Sequence, residues 1–268
     1  MPATPRTVES FMLLHLHTRA FSTLNSALSA ISHFHCRSYF VSPTLSKSVS
    51  RSLLGAKRLF GSPSVPRKII TKSILHALFD HTTKPSASFS FIRTVWRIFI
   101  QFFGLLRFNE VSNLTISDIS WTNLGFDIFI AKSKTDQTRK GDWVSVAAQP
   151  DSLYCPVAFT RRYMSLLPYD SGSLMPSLCN GVPDPQHPLL YNSALRDLRS
   201  ALRLINIDPQ GYGEHSGRRG GTTAAAAKGA SIHELMIQGR WRSESMPRLY
   251  TDNAAKCKRS FARRLASI

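Results

Sequence analysis

Two arginines, Arg107 and Arg218, stand far apart in a chain of 268 residues, and each belongs to a small group of residues able to do chemistry. Arg107 is followed one helical turn later by Glu110, in Gly104-Leu105-Leu106-Arg107-Phe108-Asn109-Glu110. Arg218 is preceded by His215, and the three-residue spacing puts both on one face of a helix. Lys134 stands between two strand-like runs, in Ser133-Lys134-Thr135. Trp241 ends Gly239-Arg240-Trp241, and Tyr250 comes nine residues after it. The arginines offer planar forks of N–H donors that match phosphate oxygens, His215 adds a ring hydrogen bond and Trp241 an indole N–H. A phosphodiester gains charge on its oxygens as it becomes pentacoordinate, and such donors stabilise that charge.

Composition points to the same class of partner. Lys and Arg number 34 against 16 Asp and Glu, a formal net charge of +18. With 43% hydrophobic residues the chain can bury a core, which sets it apart from a disordered basic tail. A folded, strongly basic protein fits a large polyanion, most simply nucleic acid. The four cysteines, Cys36, Cys155, Cys179 and Cys257, are scattered and form no CxxC pair, which argues against a zinc ribbon or a disulfide scaffold. The most apolar stretch, Phe89 to Phe108, is interrupted by Arg93, Arg97, Gln101 and Arg107, and so reads as a buried amphipathic helix and not as a membrane span. His33, His35 and Cys36 split across helix faces, as do His15 and His17, so no metal site is expected.

In order and spacing, the Gly-Leu-Leu-Arg107 motif with Glu110, the hairpin lysine Lys134, His215-Ser-Gly-Arg218, Gly-Arg-Trp241 and Tyr250 resemble the tyrosine recombinases, or phage-integrase family. The resemblance covers about residues 67–265, with 23 residues from Arg218 to Trp241. The longer string His-Ser-Gly-Arg-Arg-Gly-Gly-Thr-Thr-Ala-Ala-Ala-Ala is most similar to recombinases of eukaryotic mobile elements. Histidine is commoner in the family at the Trp241 position, but both rings donate an N–H. The resemblance implies that Tyr250 is the nucleophile, leaving a 3′-phosphotyrosine and a free 5′-hydroxyl, and that Lys134 protonates the leaving 5′ oxygen. A phenol with a pKa of about 10 needs help from a base and a positive field, which His215, Arg107 and Arg218 supply. The ester energy stays in the protein–DNA bond, so the scheme needs no ATP, metal or other cofactor. The implied partners are double-stranded DNA and further copies of the chain, four protomers on two sites, with no membrane. Localisation follows the host: nucleus if eukaryotic, otherwise the nucleoid.

These residues need elements to hold them. The expected fold is mainly α with a small antiparallel β-sheet (α+β): a tyrosine-recombinase catalytic fold preceded by a short helical core-binding region. Residues 1–62 read as that region, probed by helical runs at Phe21, Leu24, Leu28, Ile31, His35 and at Val49, Leu53, Leu54, Lys57, Phe60, and shortened relative to the family. Residues 63–68 form a linker rich in proline, and 69–268 the catalytic domain. Ile69 to Phe79 and the Ile92–Leu106 face predict two helices. Ile116 to Trp121, Phe126 to Ala131 and Trp143 to Ala147 predict a three-stranded antiparallel sheet. Helices are expected at Pro156 to Leu167 and Ser193 to Ile205, with a polar, proline-rich loop from Pro168 to Pro188 between them. Thr222 to Lys228 is alanine-rich and helical, capped by Gly229, and Ser231 to Glu234 has capping-box spacing. Pro247 fits only the first turn of its helix, so the N-cap is placed at Ser245.

The basic residues around the site divide by role. Glu110 reads as a buried orienting partner for a cationic site residue. Lys132, Arg139, Lys140, Arg219, Arg240 and Arg242 are assigned to DNA contacts; Arg219 lies about 100° around the helix from the His215 face. The Lys256–Arg264 cluster with Phe261, Leu265 and Ile268 predicts a basic C-terminal helix that docks either on a neighbouring protomer or on its own domain. Alternatives to the recombinase reading are a catalytically inactive DNA-binding remnant and a type IB topoisomerase-like enzyme. A generic basic RNA-binding protein is the remaining alternative, but the sequence lacks the aromatic stacking platform expected for single strands, and that reading leaves the Arg–Lys–His–Arg–Trp–Tyr order unexplained.

Overall fold

The structure, a computed structural model, describes residues 2–61, 67–133, 140–251 and 266, with the backbone alone over 249–251. The chain divides into two compact units, Met1–Val65 and Pro66–Ile268.

In the first unit, helices α1 (Pro5–His15), α2 (Phe21–Arg37) and α3 (Lys47–Phe60) enclose a small core of Val8, Met12, Leu28, Val49 and Ala56. The two expected helices are present; α1 is additional, opened by the Thr4 side chain accepting from Thr7 N and by Pro5 at its first position. His35 is fixed in the core's rim: its Nδ1 donates to the Ile31 carbonyl (2.8 Å) and its Nε2 accepts from Ala3 N (3.0 Å). Among the described residues no group of His, Cys, Asp and Glu could hold a metal ion, and no helix is long and apolar enough to cross a membrane.

The second unit is built around α5 (Phe89–Phe103), in which every residue from Ile92 to Phe102 is buried. Its apolar positions, Trp96 and Phe99 among them, join a core shared with α4 (Lys72–Thr82), α7 (Pro156–Met164) and α8 (Tyr191–Leu204). Its polar positions Arg93, Arg97 and Gln101 lie one turn apart, and each finds an internal partner. Arg93 donates to Asp197 (2.9 Å) and to the Pro176 carbonyl, and Arg97 to Glu214 and the Ala194 carbonyl (3.0 Å). Gln101 donates to the Glu214 carbonyl (3.0 Å). The charges that interrupt this helix in the sequence are therefore a buried ladder, paired as buried charges must be.

After the short helix α6 (Phe108–Ser112), β1 (Ile119–Trp121), β2 (Gly125–Ile130) and β3 (Asp142–Ala147) form the expected antiparallel sheet, in the order β1-β2-β3. The register pairs Phe126 with Val146 and Ile128 with Val144, so one face is apolar and buried. Phe129 and Trp143 pair on the other face. Residues 116–118, expected as strand, form a 3-10 turn instead, because the Asp118 carboxylate caps Thr115 N (2.8 Å).

One expectation is corrected. The segment read as a loop, Pro168 to Pro188, contains a second sheet, β4 (Pro176–Cys179) paired antiparallel with β5 (Val182–Pro188). Prolines at 183, 185 and 188 hide it, yet a two-stranded ribbon has outer edges that need no N–H donors.

Helix α9 (Ser216–Ala227) packs against α5 and against the Ile70 segment closely enough that a glycine is required at each contact. A Cβ on Gly221 would lie 1.9 Å from the Phe102 carbonyl oxygen, and one on Gly220 1.9 Å from that of Ile70. Gly221→Ala is expected to destabilise the unit by about 3 kcal/mol, the upper part of the range for overpacking, because the obstacle is backbone. Urea unfolding followed by far-UV circular dichroism would check this. The remaining helices, α10 (Ile232–Gly239) and α11 (Ser245–Thr251), pack on α9 and on each other.

Candidate active site

Arg107 is the N-cap of α6, and Glu110 is the third residue of that helix. The Glu110 carboxylate closes the cap by accepting from Arg107 N (2.7 Å), which satisfies a donor the helix leaves open. It also accepts from Arg107 Nη1 (2.7 Å), Ser133 Oγ (2.9 Å) and Arg240 Nη2 (2.6 Å). Arg218 Nη1 stands 3.9 Å from the same carboxylate. One buried carboxylate thus gathers three guanidiniums from α6, α9 and the end of α10. Three cations about one anion leave the cluster positive.

Burial pushes Glu110 toward protonation, but the Arg240 charge, the Arg107 backbone N–H and the Arg107 charge together hold its pKa below the ordinary value. It is therefore a fixed anion at neutral pH, and it contributes stability above the ordinary carboxylate pKa that is lost as pH falls through its lowered one.

Arg218 is 3% exposed. It donates to the carbonyls of Leu105 and Gly239, and its guanidinium lies 4.2 Å from the centre of the Trp241 ring. Trp241 packs with Leu105 and Leu235, and its ring lies where a Cβ on Gly239 would be, 2.1 Å from the nearest ring carbon. This explains the glycine of Gly-Arg-Trp. His215 is exposed and is the N-cap of α9. The residue before it, Glu214, is buried and held by Arg97 and Gln101. Burial pushes the Arg97 guanidinium down to about 9, which leaves it cationic at neutral pH.

Tyr250 lies in α11, whose backbone packs against α9 and α10; its side chain is outside the described residues, as are Lys134, Arg139 and the basic C-terminal segment. The helix begins one residue differently from expectation: Ser245 is its first helical residue, and the first helical bond runs from Arg248 N to the Glu244 carbonyl (2.9 Å). Pro247 precedes that donor and removes no bond.

Of the basic residues assigned to DNA, Lys132, Lys140 and Arg242 are exposed. Two others make contacts inside the protein. Arg240 is 8% exposed and turned inward onto Glu110, the Gln238 carbonyl (3.0 Å) and the Leu105 carbonyl (3.5 Å). Arg219 is half-buried and donates to the Arg67 carbonyl, tying α9 to the residues that lead into α4. Ser133 is a site residue that the sequence reading passed over: it receives a hydrogen bond from Arg107 Nη1 (3.2 Å) while donating to Glu110. Its place directly before Lys134 was the available signal.

No family model matches the chain. Among curated proteins, the integrase/recombinase XerD homolog of Selenomonas ruminantium is 24% identical over 261 residues, which cover 94% of this chain and 74% of the relative. In sequence the chain is thus similar to a member of the tyrosine recombinase/integrase family. Its fold is that of tyrosine recombinase structures at low identity. The XerH site-specific recombinase in a post-cleavage complex with its palindromic difH substrate aligns with a TM-score of 0.67 at 14% identity, over 96% of this chain and 72% of that one. The Tn1549 transposon integrase in complex with transposon right-end DNA aligns with a TM-score of 0.65 at 13% identity, over 98% of this chain and 86% of that one. In a tyrosine recombinase fold, the arrangement described above brings two arginines from distant parts of the sequence to one carboxylate, beside an aromatic N–H donor and the helix bearing Tyr250.

Proposed function

We propose that this chain is a site-specific DNA recombinase that cleaves and rejoins duplex DNA through a 3′-phosphotyrosine, in the integration and recombination of a mobile element. The observation that carries this reading is the convergence of Arg107 and Arg218 on Glu110, with Trp241 against Arg218. Such a positive cluster receives the non-bridging oxygens of a phosphodiester and gains strength as charge grows on them. The Tyr250 oxygen attacks phosphorus with help from His215, the bond from phosphorus to the 5′ oxygen breaks, and Lys134 delivers a proton to that oxygen. Religation reverses these steps and needs no ATP and no metal. Lys132, Lys140 and Arg242 add phosphate contacts that make affinity depend on salt. The helical unit Met1–Val65 supplies further DNA contacts, and four copies assemble on two sites. In a eukaryotic host this takes place in the nucleus, otherwise in the nucleoid.

The test is covalent trapping. Purified chain is incubated with a pool of nicked duplexes whose cleaved fragment diffuses away, without ATP and with chelator, and the products are run on a denaturing gel. Wild type is expected to give a protein–DNA band, and Tyr250→Phe none while binding the pool equally. Salt-sensitive binding by both without a band would turn the reading to a DNA-binding remnant. Relaxation of supercoiled DNA without any preferred site would turn it to a topoisomerase-like enzyme.

A further inference from the structure

Arg240 occupies a position that its residue type does not favour. It caps α10 in the left-handed conformation (φ 53°), where glycine carries no steric penalty and a side chain does. Leu105, whose carbonyl accepts from both Arg218 and Arg240, is a second left-handed non-glycine residue beside the same site (φ 49°). Strain of this kind persists where the surroundings hold it and gathers at functional sites. For Arg240 the surroundings are specific. Its left-handed turn directs the guanidinium inward to the Glu110 carboxylate, 2.6 Å away, instead of outward with its neighbour Arg242. Glu110 holds the Arg107 cap and Ser133 at the same time, and Trp241 directly follows Arg240.

We infer that Arg240 is a positioning residue: its ion pair with Glu110 ties the Trp241 turn to the Arg107 cap and to Ser133, and so sets the geometry in which Arg107 and Arg218 meet the phosphate. This rests on the recombinase reading of the site. It differs from a role in DNA contact, since the guanidinium is spent inside the protein. Among the described residues, the charged groups that face Glu110 are Arg107 from α6, Arg218 from α9 and Arg240 from the end of α10. Arg240 exerts the largest pull against the burial that would protonate Glu110. Without it, burial is less opposed and the carboxylate protonates at a higher pH.

Arg240→Gly separates these roles, because glycine is at ease in the left-handed turn and keeps the backbone. In the full-length chain, R240G is expected to melt below wild type, since relief of the left-handed turn offsets only part of the lost buried pair, yet to stay folded and bind the nicked-duplex pool with the same salt dependence. It should form the covalent adduct about a hundredfold more slowly, the scale of an ångström-size misplacement. The acid limb of its rate–pH profile should move to higher pH, and Arg240→Lys, which restores the charge without the fork, should recover part of the rate. A wild-type rate and pH limb in R240G would overturn the proposal, and so would weakened DNA binding with the fold intact, which would make Arg240 a DNA contact. Should R240G not fold, E110Q takes its place, with the same slowing expected and a wild-type rate contradicting the pair. If wild type itself gives no adduct, the recombinase reading fails separately. The Glu110 carboxyl can then be titrated by carbon NMR in wild type and R240G: an unchanged midpoint overturns the Arg240 pairing, and a raised one supports it.

Discussion

Exchange of Arg218 for alanine is expected to lower the rate of covalent adduct formation about a thousandfold, the upper part of the range for losing one donor to a developing oxyanion. The side chain is buried and already oriented: the Leu105 and Gly239 carbonyls grip its fork from two segments, and the Trp241 ring covers its face. A donor held in this way needs no reorganisation when charge appears on the phosphate. Lysine should recover little, since a point charge on a flexible stem cannot bridge two carbonyls and a phosphate together. The alanine variant should also lose about 2 kcal/mol of stability, because the Leu105 and Gly239 carbonyls each lose a charged donor. Single-turnover trapping at saturating protein separates the two effects. A rate within threefold of wild type would remove Arg218 from the catalytic group.

Glu214→Ala is expected to have the largest effect on folding. Arg97 is fully buried, and Glu214 is the carboxylate bonded to it. Removing one member of a buried ion pair typically costs about 3–5 kcal/mol, because the remaining charge is stranded. For a unit of this size that corresponds to a fall in melting temperature of roughly 10 °C. The double variant Arg97→Met, Glu214→Leu should regain most of it, since an apolar pair leaves no charge to solvate. Thermal unfolding of the three proteins checks this. A double variant no more stable than the single one would mean that the pair serves something other than charge compensation. Glu214 also precedes His215, and its carbonyl is anchored by Gln101, so the single variant should slow cleavage as well.

Much of this site is legible in the sequence because its residues are tied to local signals. Arg107 and Glu110 stand at capping distance, His215 and Arg218 at one helical turn, and the strands on either side of Lys134 alternate cleanly. The helices α4, α5, α7, α8 and α10 follow from apolar spacing and caps in the same way. What the sequence conceals is the direction in which polar side chains turn. Arg93, Arg97 and Gln101 break an apolar run as a solvent-facing stripe would, yet their partners Asp197 and Glu214 come from more than a hundred residues away. Arg240 stands two residues before the exposed Arg242, and only its left-handed backbone, which no residue type at that position announces, aims it at Glu110. Arg219 is likewise diverted by a carbonyl distant in sequence. The β4–β5 ribbon is hidden by its prolines, since a period-two reading discounts them although a ribbon edge accepts them.

The proposed function has one chemical claim at its centre: that the Tyr250 oxygen becomes the ester partner of the DNA. The most direct measurement is peptide mapping of the trapped adduct. The protein–DNA band is digested with protease and nuclease, and the nucleotide-bearing peptide is sequenced by mass spectrometry. The account predicts a single modified residue, Tyr250, linked to a 3′-phosphate, and no modified peptide from Tyr250→Phe. A nucleotide on any other residue, a 5′-phosphate linkage, or an adduct that survives in Tyr250→Phe would contradict it.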